Sequence, residues 1–184
     1  MIINQDITEL ATGLLTLLKT QGPSKKNMEV EGTALICDFV RRPGVENTLM
    51  TLDLGQKVRL WGKTGSGLQI LLHGTDTPKK TSPHDHGNSW ALYFQLAGIT
   101  EMSTYTRRRG VPGTSGSAVL KLENETIITP GRAMFFGPLE IHSTHHPSPP
   151  ARWIRVTGTD LDFVKRLRFS IERREAVVEK KINK

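Results

Sequence analysis

Two histidines flank one aspartate in Pro83-His84-Asp85-His86-Gly87, and a third, His142, follows near the end of a later apolar stretch. On an extended strand, side chains two residues apart leave the same face. His84 and His86 are therefore expected to point the same way and to supply half of a metal site. Three neutral imidazoles leave the charge of a divalent cation uncompensated and its coordination sphere open, which suits chemistry better than scaffolding. His142 is preferred to His145 and His146 as the third ligand: it ends the proline-led segment Gly137-Pro138-Leu139-Glu140, whereas the other two sit beside Pro147. Glu140, two residues before His142, takes either a turn role or that of a fourth, carboxylate ligand. His73, inside an apolar segment, is expected to be a packed or rim histidine.

Something must hold these side chains in place. The histidine pair follows a polar, proline-containing stretch and precedes the apolar run Trp90-Ala91-Leu92-Tyr93-Phe94, so it enters a buried strand. From about residue 47 onward, short segments of β-type composition alternate with Gly, Pro, Asn and Ser. Strands are expected over 49–54, 57–61, 68–73, 90–96, 102–107, 118–122, 126–129, 133–136 and 153–157. Turns are expected at Gly65-Ser66-Gly67 and across 121–126 with Asn124 at the tip. About nine short strands in such a span imply a sandwich or barrel. Ahead of them, Ile3, Ile7, Leu10, Leu14, Leu17 and Leu18 recur at helical spacing, with Asp6 as N-cap and Gly22-Pro23 as terminator. A second helix is expected over 31–41, burying Leu35, Ile36, Phe39 and Val40. The organisation is then a helical segment at 1–46 packed on a β-barrel at 47–160, with a closing arm and basic tail at 161–184. Phe163, Leu167 and Phe169 are the expected anchors of that arm.

Composition bounds the function. The chain of 184 residues suits one domain with a substantial core, and its 17 Gly and 10 Pro suit many short strands. No apolar run approaches the roughly 20 residues that span a bilayer, so no membrane partner is expected. The opening residues lack a basic region followed by an apolar one, and Cys37 is the single cysteine; both point to the cytoplasm. The net charge of +7 comes largely from Arg107-Arg108-Arg109 and the stretch after Lys165. These are expected to be a solvated turn and a loose tail. Aromatic residues are not interleaved with them, so no nucleic-acid partner is expected.

Both motifs together resemble the cupin superfamily. Cupins carry a His-x-His pair with a downstream glutamate and glycine, then a second motif of glycine, proline and histidine. Here His84, His86 and Gly98 match the first motif, and Gly131, Pro138 and His142 the second. The first-motif glutamate is missing, with Trp90 and Ala91 at the expected positions. The second-motif spacing is one residue short, and Glu140 replaces its inner glycine. The resemblance spans roughly residues 55 to 160 and implies a mostly β fold, a cupin double-stranded β-helix (jelly-roll barrel) with N-terminal helices.

Loss of the glutamate is similar to the cysteine dioxygenase-like thiol dioxygenases, cupins with three histidine ligands and ferrous iron. Pro83-His84-Asp85-His86-Gly87 resembles their first motif and Ile141-His142-Ser143-Thr144 their third-ligand segment. Their late-strand Ser-x-His-x-Tyr series matches Trp153, Arg155 and Thr157 here. The cysteine that crosslinks to that tyrosine in some members matches Ala91, so cysteine itself is not carried over as the substrate. Arg59, at a distance before His84 similar to that of the family's carboxylate-binding arginine, is the candidate for that role. Arg155 would place a permanent cation where the family has an imidazole, favouring an anionic substrate or a developing oxyanion. With Tyr93, from the run after the pair, these are the candidate catalytic residues. The resemblance implies an Fe(II) dioxygenase with dioxygen as co-substrate, acting on a small anionic molecule such as a thiol, in a monomer or homodimer. The alternatives are a Zn, Mn or Ni hydrolase, lyase or isomerase, and a non-catalytic small-molecule-binding cupin.

Overall fold

The computed structural model describes residues 3–53 and 57–179. Helix α1 (Ile3–Gln21) buries Ile7, Leu10, Leu14 and Leu17 along one face, as the three- and four-residue spacing requires. Asp6 lies inside its first turn rather than at the cap, and its carboxylate accepts from Arg42 Nη1 at 2.8 Å. A single helical turn α2 (Lys25–Asn27) and a π-helical stretch (Met28–Gly32) lead into α3 (Thr33–Val40), so the second helical region starts before residue 31. Helix α4 (Val45–Thr51) overturns the start of the strand expected at 49–54; Leu54 lies outside the described residues. Val45 and Leu49, four residues apart, are both fully buried against the sheet, and a helix is the conformation that puts them on one face.

Twelve strands follow: β1 (Val58–Lys63), β2 (Ser66–Thr75), β3 (Lys79–Lys80), β4 (Ala91–Ala97), β5 (Thr100–Arg109), β6 (Gly116–Ser117), β7 (Val119–Ile128), β8 (Ala133–Phe136), β9 (Ile141–His146), β10 (Ala151–Thr157), β11 (Leu167–Ser170) and β12 (Glu175–Val178). They form a five-stranded sheet in the order β1-β2-β10-β4-β8, a four-stranded sheet β3-β9-β5-β7 and a three-stranded sheet β11-β12-β6. Pairing is antiparallel throughout. The β1–β2 hairpin expected around Gly65 is present. The turn expected over 121–126 is absent. β7 runs straight through it, and Asn124 faces Thr104 while Leu122 faces Tyr105, so Glu123 is the extra residue of a bulge. Its carboxylate is held by Thr106 and Arg108.

Alternation divides the five-stranded sheet into two faces. Leu68, Ile70, Leu72, Leu92, Phe94, Phe135, Ile154 and Val156 pack against the helices in one core. Their neighbours in sequence, among them Ala91, Tyr93, Met134, Phe136 and Trp153, face the lumen with Met102 and Ile128 of the second sheet. The arm after residue 160 is a hairpin, β11–β12, whose Leu167, Phe169 and Ala176 cover Ile141 and Ala118 on the outer side of that sheet. Phe163 is not an anchor: it is 54% exposed, and Leu161 is buried instead. Arg107 is not a solvated turn residue either. Its guanidinium donates to the carbonyls of Arg109, Val111, Thr114 and Ser117.

The loop carrying the histidine pair is clamped between β9 and β11. His84 exchanges both backbone hydrogen bonds with His142, at 2.9 and 3.0 Å. On the other side Phe169 N donates to the Pro83 carbonyl and Asp85 N to that of Leu167. The buried Asp85 carboxylate then accepts from Gly87 N at 2.9 Å and from Leu167 N at 3.0 Å through the same Oδ1. Gly87 sits at φ 58, and a Cβ there would lie 2.2 Å from the Lys165 carbonyl oxygen. Asp85→Ala leaves two backbone N–H groups without their acceptor and is expected to lower stability by about 2–4 kcal/mol. Asp85→Asn keeps an Oδ1 acceptor and is expected to stay within about 1 kcal/mol of wild type; urea denaturation of both variants measures the difference.

Candidate metal centre

His84, His86 and His142 each bring one ring nitrogen to within 4.8 Å of the others. The pair does not lie on a continuous strand; His84 occupies an isolated bridge between β9 and β11 and His86 follows in coil, yet the rings converge. Ring centroids are 5.6 Å apart for His84 and His86, 4.5 Å for His84 and His142, and 4.7 Å for His86 and His142. Nδ1 of His84 donates to the Ser82 carbonyl at 2.9 Å, and Nδ1 of His142 faces the Glu140 carbonyl at 3.4 Å. Backbone acceptors at Nδ1 fix the tautomer that leaves Nε2 as a lone-pair donor, the usual outer support of a ligating histidine. Nε2 of His142 and Nδ1 of His86 are enclosed with no partner. A divalent metal ion fits this donor set: all three imidazoles are neutral, and two of their nitrogens lack any other use.

Burial is the main force keeping them neutral. It lowers all three below the usual histidine range, His86 and His142 well below, with the charge each would place on the others adding to the effect at those two. At His84, burial is opposed by the Ser82 carbonyl and by Glu179. Arg155 pushes each of the three further down. Phe136 stacks on His142 at 3.8 Å and 16°, fixing the ring from the lumen side.

His145 and His146 do not join the cluster. His145 leaves β9 on the opposite face and bonds Glu101 at 2.8 Å. His146 stacks on Trp153 at 4.1 Å. Glu140 is exposed and takes the turn role, its backbone N donating to the Gly137 carbonyl. His73 is a lumen histidine stacked on Trp153 at 5.5 Å and 8°.

The three candidate catalytic residues fall in one row across the lumen face, because Leu71 pairs with Arg59 on one side and Arg155 on the other, and Arg155 pairs with Tyr93. They do not behave alike. The Tyr93 hydroxyl lies 3.2 Å from His86 Nε2. Arg59 is engaged elsewhere, donating to Asp160 at 3.0 Å and to Thr64 at 2.7 Å. Arg155 has no carboxylate partner among the described residues, and its Nε is enclosed without an acceptor. Sequence reasoning missed Phe136, Asp85 as a positioning group, and Glu179. That last carboxylate, near His84, is held by Arg166 at 3.3 Å and Arg168 at 2.8 Å. The alternation of β8 would have placed Phe136 once its register was known; no local signal points to Glu179. Two surface clefts of about 460 and 600 Å³ flank the C-terminal hairpin, and neither is lined by any of the three histidines.

No helix among the described residues is long and apolar enough to cross a membrane. No family model matches the sequence, and no curated protein matches it. Solved structures do. A Bacillus halodurans protein superposes with a TM-score of 0.50 at 14% identity, over 65% of this chain and 83% of that one. A cupin superfamily protein of Desulfitobacterium hafniense matches at TM-score 0.42 and 14% identity, over 61% and 86% of the two chains. A Klebsiella pneumoniae protein with a double-stranded β-helix domain matches at 0.43 and 12%, over 64% and 84%. At such identities a likeness speaks of fold and not of chemistry, and none of these distinguishes the cysteine dioxygenase-like subtype. The two antiparallel sheets that face each other across the histidine cluster make the mostly β barrel with N-terminal helices expected from the sequence, and the Bacillus halodurans likeness bears on that fold alone.

Proposed function

We propose that this protein is a metal-dependent enzyme, an iron(II) dioxygenase of the cysteine dioxygenase-like cupin type acting on a small anionic molecule. The observation that carries the reading is the convergence of three neutral imidazoles, two of them fully buried, in a lumen whose nearby cation, Arg155, has no carboxylate partner among the described residues. Iron(II) held there by His84, His86 and His142 would activate dioxygen, with the substrate itself as the four-electron reductant that takes up both oxygen atoms. The chain's own residues do the rest. Arg155 draws the substrate's negative charge into the lumen. With His86 ligating through Nδ1, its Nε2–H donates to the Tyr93 hydroxyl, which leaves the phenolic proton free to be delivered to a developing oxyanion. Met134, Phe136 and Trp153 exclude water around them. The donor set favours an anionic substrate of thiolate, enolate or catecholate type, because the protein's ligands add no negative charge of their own.

Purification without a chelator or histidine tag, followed by metal analysis, is expected to show iron. Reconstitution with Fe(II) is expected to give oxygen uptake with at least one member of a panel of thiols, diketones and catechols, and none in His86→Ala. Uniform silence across the panel refutes the dioxygenase; an active protein free of iron and loaded with zinc, manganese or nickel assigns Lewis-acid chemistry instead.

The lowered histidines also set a pH dependence. Protons compete with a metal for imidazole lone pairs. An ordinary histidine site therefore weakens as the pH falls through about 6.5. With His86 and His142 held well below that value, Zn(II) affinity in titration calorimetry is expected to stay level from pH 8 to pH 6.5 and to fall only under more acidic conditions.

A further inference from the structure

We propose that the cleft of about 460 Å³ beside the C-terminal hairpin is a binding site for a small apolar molecule, and that the Phe136 ring on its inner wall is a gate over His142. With the cleft empty the ring can turn off His142 into it; with an apolar molecule seated there it cannot. The consequence of the gate rests on the reading above of the three histidines as a metal centre, but the gate itself is built from residues that hold no metal.

The cleft lies at a seam of the barrel. β8 is the last strand of the five-stranded sheet and β7 the last of the four-stranded one, and among the described residues these two edges are not paired to each other. The cleft takes in Met134 and Phe136 of β8, Thr104 and Thr106 of β5 and Glu123 of β7. None of the three histidines lines it, and His86 and His142 are 1% and 0% exposed. Yet His142 lies directly behind two of the lining residues. Its ring is stacked on Phe136 at 3.8 Å, and its register partner is Thr104, so the His142 and Thr104 side chains leave neighbouring strands on one face. Phe136 is thus the partition between an open space and a closed one.

The ring has one direction in which to leave. On its lumen side Tyr93 stands edge-on at 5.8 Å and 84°, with Met102, Met134 and Trp153 packed around them. On its other side is the cleft. A cavity of about 150 Å³ lined by aliphatic and aromatic side chains holds benzene, so 460 Å³ has room for a benzyl group or for a ligand of that size. The chemistry of the lining selects an apolar one. Its charged groups are already engaged: the Arg107 guanidinium donates to four backbone carbonyls, the Glu123 carboxylate accepts from Thr106 and Arg108, and Asp85 accepts from Gly87 N and Leu167 N. Lys25 and Glu140 are exposed to solvent. What is left is Met134, Phe136, Leu139, Ile141 and Phe169, an apolar surface of the kind that small ligands occupy.

The test uses the full chain, stripped of metal by chelator. Diethyl pyrocarbonate acylates accessible imidazole nitrogens, and peptide mass spectrometry reads the rate at each histidine. In the wild type His142 is expected to react far more slowly than the partly exposed His145. Phe136→Leu, which stays apolar and loses the stack, is expected to raise the His142 rate about tenfold. It is expected to leave His146, enclosed four residues further along β9, unchanged, whereas a merely loosened fold raises both. Saturating benzene is expected to slow His142 in the wild type. Thr104→Trp, which fills the cleft from β5, is expected to slow it without benzene and to abolish the benzene effect. A wild-type His142 as fast as His145 overturns the gate, as does Phe136→Leu acting equally on His146 or not at all on His142. Benzene without effect on the wild type overturns the apolar site. Co(II) uptake, followed by its visible absorption, separates the two readings. Uptake accelerated by Phe136→Leu in the same proportion supports the gate over a metal centre; no Co(II) bound, with the His142 rates as expected, sinks the metal centre and leaves the gate standing.

Discussion

A polar atom sealed inside a β-barrel has lost water and must find another partner, at a cost of about 1–3 kcal/mol when it does not. Most of this lumen obeys. Gln95, Thr100 and His146 form a chain of hydrogen bonds across it. The exceptions are concentrated. Among the described residues, six enclosed side-chain atoms lack partners, and four of them belong to His73, His86, His142 and Arg155. The other two are Gln69 Oε1 and Arg152 Nη1; four open nitrogens in one lumen store a cost that a ligand would relieve. The open nitrogens of His86 and His142 are the part of that imbalance a metal ion would take up.

The imbalance persists because the groups bearing it cannot relax. His84 is stitched to His142 by two backbone hydrogen bonds, and its loop is stitched to β11 by Asp85, Leu167 and Phe169. His142 is pinned by Phe136, and His73 by Trp153. The C-terminal hairpin thus helps position the histidine pair, although none of its residues is in the cluster. The N-terminal helices act from the far side. By taking up Ile70, Leu72, Ile154 and Val156, they fix which face of β2 and β10 is left for His73 and Arg155. A one-residue slip of either strand would exchange the two sets.

How much of this was legible in the sequence depended on the range of the signal. The helix of residues 3–21 announced itself through local periodicity, and the histidine pair through its motif. His142 could be chosen over His145 and His146 because proline and glycine precede it. β9 itself escaped notice, since a segment reading Ile-His-Ser-Thr-His-His lacks the apolar alternation that marks a strand when its lumen-facing residues are histidines and threonine. Residues 49–54 resembled a strand because a short apolar run cannot distinguish strand from helix by periodicity alone. Asn124 and its acidic neighbours resembled a turn because nothing local records that β5 offers ten residues of partner. The contrast between Arg59 and Arg155 was out of reach: Asp160, which claims Arg59, lies 101 residues away in sequence.

Charge closes the argument about what enters the lumen. A divalent ion held by the three neutral imidazoles would add its charge to that of the half-buried Arg155 guanidinium, and low dielectric makes such charge expensive to leave unbalanced. The protein's nearby carboxylates are committed elsewhere. Asp85 faces the backbone of Gly87 and Leu167, Glu179 is divided between Arg166 and Arg168, and Glu140 points into solvent. On the proposed reading, the compensating charge would arrive with the ligand, as an anionic donor at the histidine cluster. That reading favours an anionic ligand over a neutral one before any step of chemistry begins.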